Sequence, residues 1–231
     1  MSKLTFISNE KLYKIVSDFV EQHQVIQSQA QEKLYQNSLD PFSAILFSIC
    51  SGCSLQNWLE IELGRQIGKS FQNNVGQFHQ NILGSCKGWE IIDSVIDIKN
   101  EGKKIIAEIK NKHNTTKGSD RKVIYDNLAE SLKKPSYKNY TGYFVEIIPK
   151  NRKRYDKCFT PSDSTTNIVK PSREDIRVID GASFYEIATG VPNSLMQLYK
   201  ILPVVIQEIK GSGSEVLQDP LFEELFFKTY K

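Results

Sequence analysis

The spacing of apolar residues divides the chain into a helical first third and a mixed remainder. Within the first 85 residues, apolar side chains recur every three or four positions over 9–34, 40–51 and 55–83. This periodicity is typical of amphipathic helices. Asp40 followed by Pro41 predicts a helix start, with aspartate as the N-cap and proline at the first helical position. We therefore expect a largely helical N-terminal third.

Beyond Gly84 the pattern changes to short runs rich in isoleucine. Runs at 91–100 and 103–110 are separated by Glu101-Gly102, and a two-residue connection containing glycine predicts a β-hairpin. Further strands are expected at 140–148 and 175–179, and helices at 119–132, 191–209 and 219–228. This order predicts an α/β fold with a central mixed sheet flanked by helices.

Two polar segments connect these elements. Residues 149–171 are partly basic and show little periodicity, and such long connections in compact domains are usually functional or disordered. The Gly-Ser run at 211–214 predicts a flexible linker. We expect one domain over 1–231, with a mostly helical part at 1–85, an α/β core with the long polar loop at 86–210, and a linker with a last helix at 211–231.

Composition narrows the classes of protein. The charged fraction is 25% and no run approaches the length of a membrane-spanning helix, which is ordinary for a soluble globular protein. The N-terminus lacks the apolar run of a signal peptide, so a cytoplasmic location is expected. The net charge of +3 excludes a protein that binds nucleic acid through positive charge along its whole length. Basic residues are clustered locally, however, which favours a basic surface. These clusters lie at 103–104, 110–117, 121–122 and 150–154.

The four cysteines are too few for a disulfide framework and agree with a reducing compartment. Cys50 and Cys53 form a CxxC pair, to which His79 and Cys86 could add two zinc ligands. A second closely spaced ligand pair, usual in structural zinc sites, is missing. Buried, unreactive thiols are the favoured interpretation.

The hairpin brings acidic and basic side chains to one face. With Glu101-Gly102 as the turn, Asn100 lies opposite Lys103 and Asp97 opposite Ile106. Because side chains alternate along a strand, one face is expected to be the core, and it holds Ile96, Ile98, Ile105, Ala107 and Ile109. The other face holds Asp93, Val95, Asp97, Ile106, Glu108 and Lys110.

In this register both aspartates are diagonal to Glu108, with Cβ atoms about 7 Å apart. Carboxylates this close are costly to desolvate unless they pair with cations or hold a metal. Oxygen ligands alone suit Mg²⁺, and an ammonium group beside them favours hydroxide and the developing charge on a phosphorane. The alternative is a solvated ribbon whose charges form ordinary surface pairs.

The same residues resemble a known nuclease signature. Asp97, a hairpin, an apolar strand and Glu108-Ile109-Lys110 resemble the PD-(D/E)xK nuclease superfamily. The following block 111–115 (NKHNT) and the upstream block 76–84 (GQFHQNILG) are similar to a group of type II restriction endonucleases associated with short GC-rich palindromes of the GGNCC kind. The similarity extends from about 40 to 203 and implies a restriction-endonuclease-like core.

The resemblance implies roles for individual residues. Asp97 and Glu108 would bind Mg²⁺, with Ile109 as a third metal-binding position, and Lys110 would help to activate the attacking water. No proline precedes Asp97 or Asp93, so the choice between them stays open, and the tighter hairpin interval favours Asp97. The superfamily often has a further acid on a preceding helix, for which Glu62 or Glu60 is the candidate.

Phosphate contacts would supply affinity and base contacts specificity. Arg65 and Lys69, one helical turn apart, are candidates for phosphate binding or for an ordinary solvated surface. Arg152, Lys153 and Arg154 open the basic loop, where arginine could read guanine. A second candidate reader follows the active strand and comprises Lys112, His113, Asn114, Thr115, Thr116 and Lys117. His113 is equally compatible with a structural role.

The resemblance therefore implies a Mg²⁺-dependent type II restriction endonuclease that leaves 5′-phosphate ends. A palindromic site implies a homodimer acting on double-stranded DNA, with one active site for each strand. No membrane and no nucleotide cofactor are expected. Two alternatives stay open: a structure-specific repair or recombination nuclease with the same site, and a DNA-binding module whose hairpin charges are structural.

Overall fold

The computed structural model describes residues 2–92, 95–162, 168–211 and 214–230. The chain divides into two compact units, Asp18–Val75 and the remainder, Met1–Ser17 with Gly76–Lys231. The helices are α1 (Asn9–Gln36), α2 (Pro41–Ser51), α3 (Leu55–Gly84), α4 (Gly118–Lys133), α5 (Gly181–Thr189), α6 (Ser194–Lys210) and α7 (Leu221–Thr229). The strands are β1 (Trp89–Ile91), β2 (Ile98–Asn100), β3 (Ile105–Lys112), β4 (Thr141–Ile148), β5 (Asp156–Cys158) and β6 (Ile176–Asp180).

The unit Asp18–Val75 is helical, as the apolar periodicity predicts. Helix α2 starts where expected, because the Asp40 carboxylate accepts hydrogen bonds from the amides of Phe42 and Ser43 at 3.0 and 3.2 Å. It ends at Gly52, which adopts φ 64° and is thus in the left-handed conformation common after a helix. Phe71 of α3 packs edge-on against Phe19 of α1, with ring centroids 5.3 Å apart.

The other unit is built on a six-stranded sheet in the order β1-β2-β3-β4-β6-β5. Strands β3, β4 and β6 are parallel, whereas β1, β2 and β5 pair antiparallel with their neighbours. The predicted α/β fold with a central mixed sheet, flanking helices and a helical N-terminal third is confirmed. In the described part of the chain, no helix is long and apolar enough to span a bilayer.

Both faces of this sheet are covered, which corrects the expectation of one core face. The predicted core residues of the hairpin are buried, but Ile106 on the opposite face is also 0% exposed. It packs with Ile124 and Leu128 of α4 and with Phe144 of β4. On the other face, Phe184 of α5 contacts Tyr143 at a centroid distance of 5.7 Å. Parallel strands need crossover connections, and here their helices cover both sides.

The hairpin register differs from the predicted one by two residues. The turn spans four residues, 101–104, so Asn100 pairs with Ile105 and Ile98 with Ala107. The Asn100 side chain closes this longer turn by accepting a hydrogen bond from the Lys103 amide at 2.8 Å. Because side chains alternate with period two, a shift of two residues keeps Asp97, Glu108 and Lys110 on one face.

The predicted strand at 91–100 is in fact two short strands. β1 and β2 pair antiparallel, with Ile91 opposite Ile98, and the Ile92 amide donates to the Asp97 carbonyl at 2.9 Å. The chain therefore reverses just before Asp97. Asp93, the alternative first acid, lies outside the described residues.

Two elements at the far edge of the sheet were not predicted. Strand β5 lies within the segment 149–171, and α5 follows β6 directly. Asp180 caps α5 by accepting a hydrogen bond from the Ser183 amide at 2.9 Å. At Gly181 a Cβ atom would stand 2.5 Å from the Ile147 carbonyl oxygen, so only glycine allows α5 to begin this close to β4. Pro203 lies inside α6 without ending it.

Candidate active site

Asp97 is fixed at the start of β2 by hydrogen bonds on both sides. Its amide donates to the Ala107 carbonyl at 3.0 Å, and its carbonyl accepts from the Ile92 amide. Its carboxylate Oδ2 accepts from the Ile109 amide at 2.6 Å. The side chain is therefore directed toward the adjacent strand β3.

Glu108 and Lys110 lie on β3, on the same face, two residues apart. Lys110 Nζ is 2.7 Å from Glu108 Oε1, and the two side chains are 38% and 14% exposed. Asp97 and Glu108 are hydrogen-bonding neighbours. The structure thus brings together the three side chains that the sequence places on one face of the hairpin.

Burial and mutual repulsion perturb both acids. Burial and the charge of Asp97 together raise the pKa of Glu108 to about 7, against the opposing effect of Lys110. Burial also raises the pKa of Asp97, although the Ile109 amide and Lys110 act in the opposite direction. Burial alone would lower the pKa of Lys110, but its hydrogen bond and charge interaction with Glu108 raise it. Such buried, like-charged pairs are typical of functional sites.

The structure adds Gln80 of α3 to this cluster. Its side chain forms a hydrogen bond with Asp97, which lowers the pKa of that carboxyl. Gln80 lies in the block 76–84, which carries part of the family resemblance. Its uncharged side chain on a predicted helix does not indicate a place in the active site. The helix spacing alone does not reveal which of its residues contacts the hairpin.

The donor set suits a hard cation that needs few protein ligands. Asp97 and Glu108 supply carboxylate oxygens. The pKa values of both acids stay raised although the charge of Lys110 lowers them, so one ammonium group does not neutralise the pair. Mg²⁺ commonly binds one or two carboxylates and keeps several waters. Within 2–92, 95–162, 168–211 and 214–230, no group of three or more His, Cys, Asp or Glu residues is arranged to hold a metal. A site of two carboxylates and main-chain oxygen is compatible with that ion.

The residues considered for zinc have other surroundings. His79 Nδ1 lies 2.8 Å from the Tyr185 hydroxyl, and burial lowers the pKa of His79 to about 4. The Cys86 thiol donates to the Ile82 carbonyl, and burial raises the pKa of this thiol to about 12. Cys86 is the buried, unreactive thiol expected. Cys50 is exposed, so the expectation of burial was wrong there, because α2 turns it toward solvent.

The candidate reader after β3 forms a compact turn. The Thr115 hydroxyl donates to the Lys112 carbonyl at 2.7 Å, and the His113 amide donates to Ile148 at 3.1 Å. Asn114 and Lys117 are exposed. Of the described side chains, His113 Nδ1 and Thr116 Oγ1 are among the few buried polar atoms without a hydrogen-bond partner. Such atoms are costly unless a ligand or water satisfies them.

The basic residues of the loop differ in whether their side chains are already bonded to other residues. Arg152 ends a short 3-10 turn with φ 57°, and both it and Lys153 are exposed. Arg154 instead binds Glu186 at 2.7 Å and the Ser183 hydroxyl at 3.1 Å. Arg152 and Lys153 are therefore the more available donors of the three.

The other candidates from the helical third belong to the unit Asp18–Val75. The Glu62 carboxylate binds Arg65 through two contacts of 2.6 Å and Gln66 at 2.9 Å. Arg65 and Lys69 line one pocket of that unit together with Lys33. Glu60 is exposed. Glu62 is thus already neutralised by its neighbour on α3.

Comparison with known proteins assigns this arrangement to a family. Residues 4–210 match the sequence model of a family described as Eco47II restriction endonuclease. The chain is 42% identical over 213 residues to the type II restriction enzyme Eco47II of Escherichia coli, covering 90% of this chain and 89% of that protein. It is 28% identical over 211 residues to the type II restriction enzyme Sau96I of Staphylococcus aureus, covering 89% and 80% respectively.

Proposed function

The chain belongs to the Eco47II restriction endonuclease family, and on this premise we propose that it hydrolyses double-stranded DNA with Mg²⁺ at the site formed by Asp97, Glu108 and Lys110. It is a type II restriction endonuclease and acts on DNA. The metal, the residues and the target sequence are the parts that we propose. The observation that carries the metal and the residues is the meeting of two half-buried acids and one amine on neighbouring segments of the sheet. The target sequence rests on the family resemblance.

Asp97, Glu108 and the main chain at Ile109 would hold the metal. When bound, Mg²⁺ supplies Lewis-acid stabilisation of the charge that develops on the phosphodiester. The raised pKa values of both acids follow from burial without enough positive charge, and a divalent cation removes that deficit. The Ile109 amide keeps the Asp97 carboxylate beside Glu108 in the absence of a metal.

Lys110 would act on the reacting phosphate and water. Its side chain is 38% exposed while the ammonium is bound to Glu108, so we expect it to reach an incoming phosphodiester without leaving the acids. A positive charge at this point favours the hydroxide nucleophile and the negatively charged transition state. We expect hydrolysis to leave the phosphate on the 5′ end.

The target would be a short GC-rich palindrome of the GGNCC kind, read by a homodimer. One active site per chain serves one strand, so two symmetric copies cleave both strands of a palindromic site. Arg152 and Lys153 on the basic loop are proposed readers because both are exposed. The turn 112–117 is proposed as the second reader because Asn114 and Lys117 are exposed and two of its buried polar atoms lack a partner. Arg65 and Lys69 are proposed phosphate contacts.

Digestion of unmodified plasmid DNA with purified protein and Mg²⁺, followed by sequencing of the ends, tests this function. Discrete fragments with one sequence at every end and a 5′-phosphate are expected, with no cleavage in a chelator. Cleavage at flaps or junctions without a common sequence would instead favour a structure-specific nuclease. Binding without any cleavage would favour the DNA-binding module.

The assignment of the site is tested by Lys110→Ala. We expect this variant to bind the target duplex and to lose cleavage, because it keeps both acids and removes the charge near the phosphate. Lys133→Ala is the matched control, since Lys133 forms an exposed surface pair with Glu130. Cleavage by Lys110→Ala at the control rate would show that another group acts on the phosphate.

A further inference from the structure

A third buried carboxylate stands beside Lys110. Glu146 is the register partner of Lys110 in the parallel pair of β3 and β4, and adjacent strands lie only about 4.8 Å apart. Register partners project to the same face, where Glu108 lies beside Phe144 and Lys110 beside Glu146. The Glu146 side chain is 3% exposed. The parallel pairing therefore places a second carboxylate, besides Glu108, on the strand next to Lys110, and the charge of Asp120 also acts on Lys110.

Glu146 is already satisfied by donors other than Lys110. Glu146 Oε1 accepts from Arg121 of α4, and Glu146 Oε2 accepts from the Tyr155 hydroxyl. Lys110 Nζ meanwhile lies 2.7 Å from Glu108 Oε1. The two carboxylates therefore have separate cations.

Aromatic rings fix the position of Arg121. Its guanidinium carbon lies 5.0 Å from the ring centroid of Phe144 and 5.3 Å from that of Phe159. Guanidinium groups stack favourably on aromatic faces. Arg121 is thus held between the apolar cluster under α4 and the carboxylate of Glu146, and only 27% of its side chain is exposed.

We infer that Arg121 is a positioning residue for Lys110: by neutralising Glu146, it keeps the Lys110 ammonium on Glu108 at the reacting centre. A buried carboxylate that loses its cation is strongly destabilised, and the ammonium on the neighbouring strand is close enough to replace it. Lysine has a flexible four-carbon stem and can make this move. The inference rests on the proposed role of Lys110.

The principal test compares Arg121→Met with the double variant Arg121→Met/Glu146→Gln. The single variant should slow single-turnover cleavage about a hundredfold, as expected when one charged donor leaves a reacting centre, while its Kd for the duplex without divalent cation stays within about threefold. The double variant removes the competing charge, so cleavage should return to within about tenfold of wild type.

Other roles of Arg121 give different results. If Arg121 binds DNA phosphate directly, the single variant loses duplex binding and the double variant stays as slow as the single. If Arg121 is only structural, the chemical step is unchanged at a temperature where circular dichroism shows every variant to be folded. Either outcome would overturn the inference.

Two further variants isolate the competing charge. Tyr155→Phe removes a donor from Glu146 but leaves its cation, so cleavage should stay within about threefold of wild type. Adding Lys110→Ala to Arg121→Met should slow cleavage no further than Lys110→Ala alone, because both changes remove the same ammonium. If the combined variant is slower than Lys110→Ala by the same factor by which Arg121→Met is slower than wild type, the inference is contradicted.

The design separates failure of the inference from failure of the proposed function. If wild type cleaves but Lys110→Ala is unimpaired, the proposed site is wrong whatever Arg121 does. If Lys110→Ala fails to cleave and Arg121→Met cleaves like wild type, only the positioning role is wrong. If Arg121→Met does not fold, the test rests on the double variant Arg121→Met/Glu146→Gln. Cleavage by that variant as slow as cleavage by Lys110→Ala would refute the positioning role.

Discussion

Two pairs of acids on one sheet differ in the hydrogen-bond donors available to them. Glu146 and Asp180 are register partners on β4 and β6, and both are almost completely buried. Glu146 has Arg121 and Tyr155 as donors, and Asp180 accepts from the amides of Tyr155 and Ser183, both at 2.9 Å. Asp97 and Glu108 instead share one ammonium group, one backbone amide and the side chain of Gln80.

This difference indicates which acids act on a ligand. A buried carboxylate with a full set of donors stabilises its surroundings, and it has no need of a further cation. A pair that lacks donors has raised pKa values and gains from a cation. The pairs also differ in burial, because Glu146 and Asp180 are buried whereas Asp97 and Glu108 are half-buried. Substitutions in the two pairs test whether shortage of donors is the correct criterion.

The largest expected contrast is between two Glu→Gln substitutions. Glu108→Gln should reduce cleavage at least about a thousandfold, because it removes a metal-binding charge from the reacting centre. Glu146→Gln should leave cleavage within about fivefold of wild type, since it removes the charge that competes for Lys110. Single-turnover cleavage of a duplex containing the mapped site measures both. Equal losses in the two variants would mean that shortage of donors does not identify the active pair.

The second contrast concerns stability and has the opposite sign. Asp180→Ala should lower the free energy of unfolding by roughly 3 to 4 kcal/mol, because it removes the cap of α5 and leaves the Tyr155 amide without a partner. Asp97→Asn should cost less, since neutralising one of two repelling acids relieves their repulsion. Urea denaturation in a chelator measures both. A larger loss for Asp97→Asn than for Asp180→Ala would reverse the assignment of the structural pair.

The third contrast is a dependence of stability on pH. Because the pKa of Glu108 in the folded protein, about 7, exceeds its ordinary value of 4.5, proton uptake stabilises the fold. This contribution is complete below about pH 4.5 and is lost as the pH rises through 7. Relative to Glu108→Gln, wild type should therefore lose about 3 kcal/mol of unfolding free energy between these limits in a chelator.

The control for this pH series is Glu174→Gln, because the Glu174 side chain is 89% exposed. Its unfolding free energy should run parallel to that of wild type. Divalent cation should abolish the wild-type loss near pH 7, since bound metal takes the place of the proton. A flat difference between wild type and Glu108→Gln would show that the acid pair is adequately neutralised without metal.

The long elements of the fold could be predicted because the spacing of their apolar residues is long enough to show the period of a helix or a strand. Helices α1 to α3 and strands β3 and β4 begin and end within about two residues of the expected positions. Strand β5 has only three residues and no alternation of burial, so its pairing with β6 decides its structure. Helix α5 begins at Asp180-Gly181, which resembles a turn in sequence. Its start depends on the close approach of Gly181 to β4.

The candidate site was partly predictable for a similar reason. Asp97, Glu108 and Lys110 lie on adjoining strands, and alternation places them on one face despite the error of two residues in register. Gln80, Arg121 and Tyr155 contact this region from a helix or a distant loop. The sequence separation of 25 residues between Arg121 and Glu146 reflects packing of α4 on the sheet, which no local pattern encodes.

The smallest expected effect distinguishes two residues of α3. Gln80→Ala removes one hydrogen bond to Asp97 and should slow cleavage about tenfold, equivalent to one bond to a charged acceptor. Glu62→Gln should change cleavage less than about twofold, because that carboxylate is already bound by Arg65 and Gln66. Cleavage rates at saturating enzyme measure both. If Glu62→Gln is the more damaging change, an acid with a full set of donors takes part in cleavage, and shortage of donors is not the correct criterion.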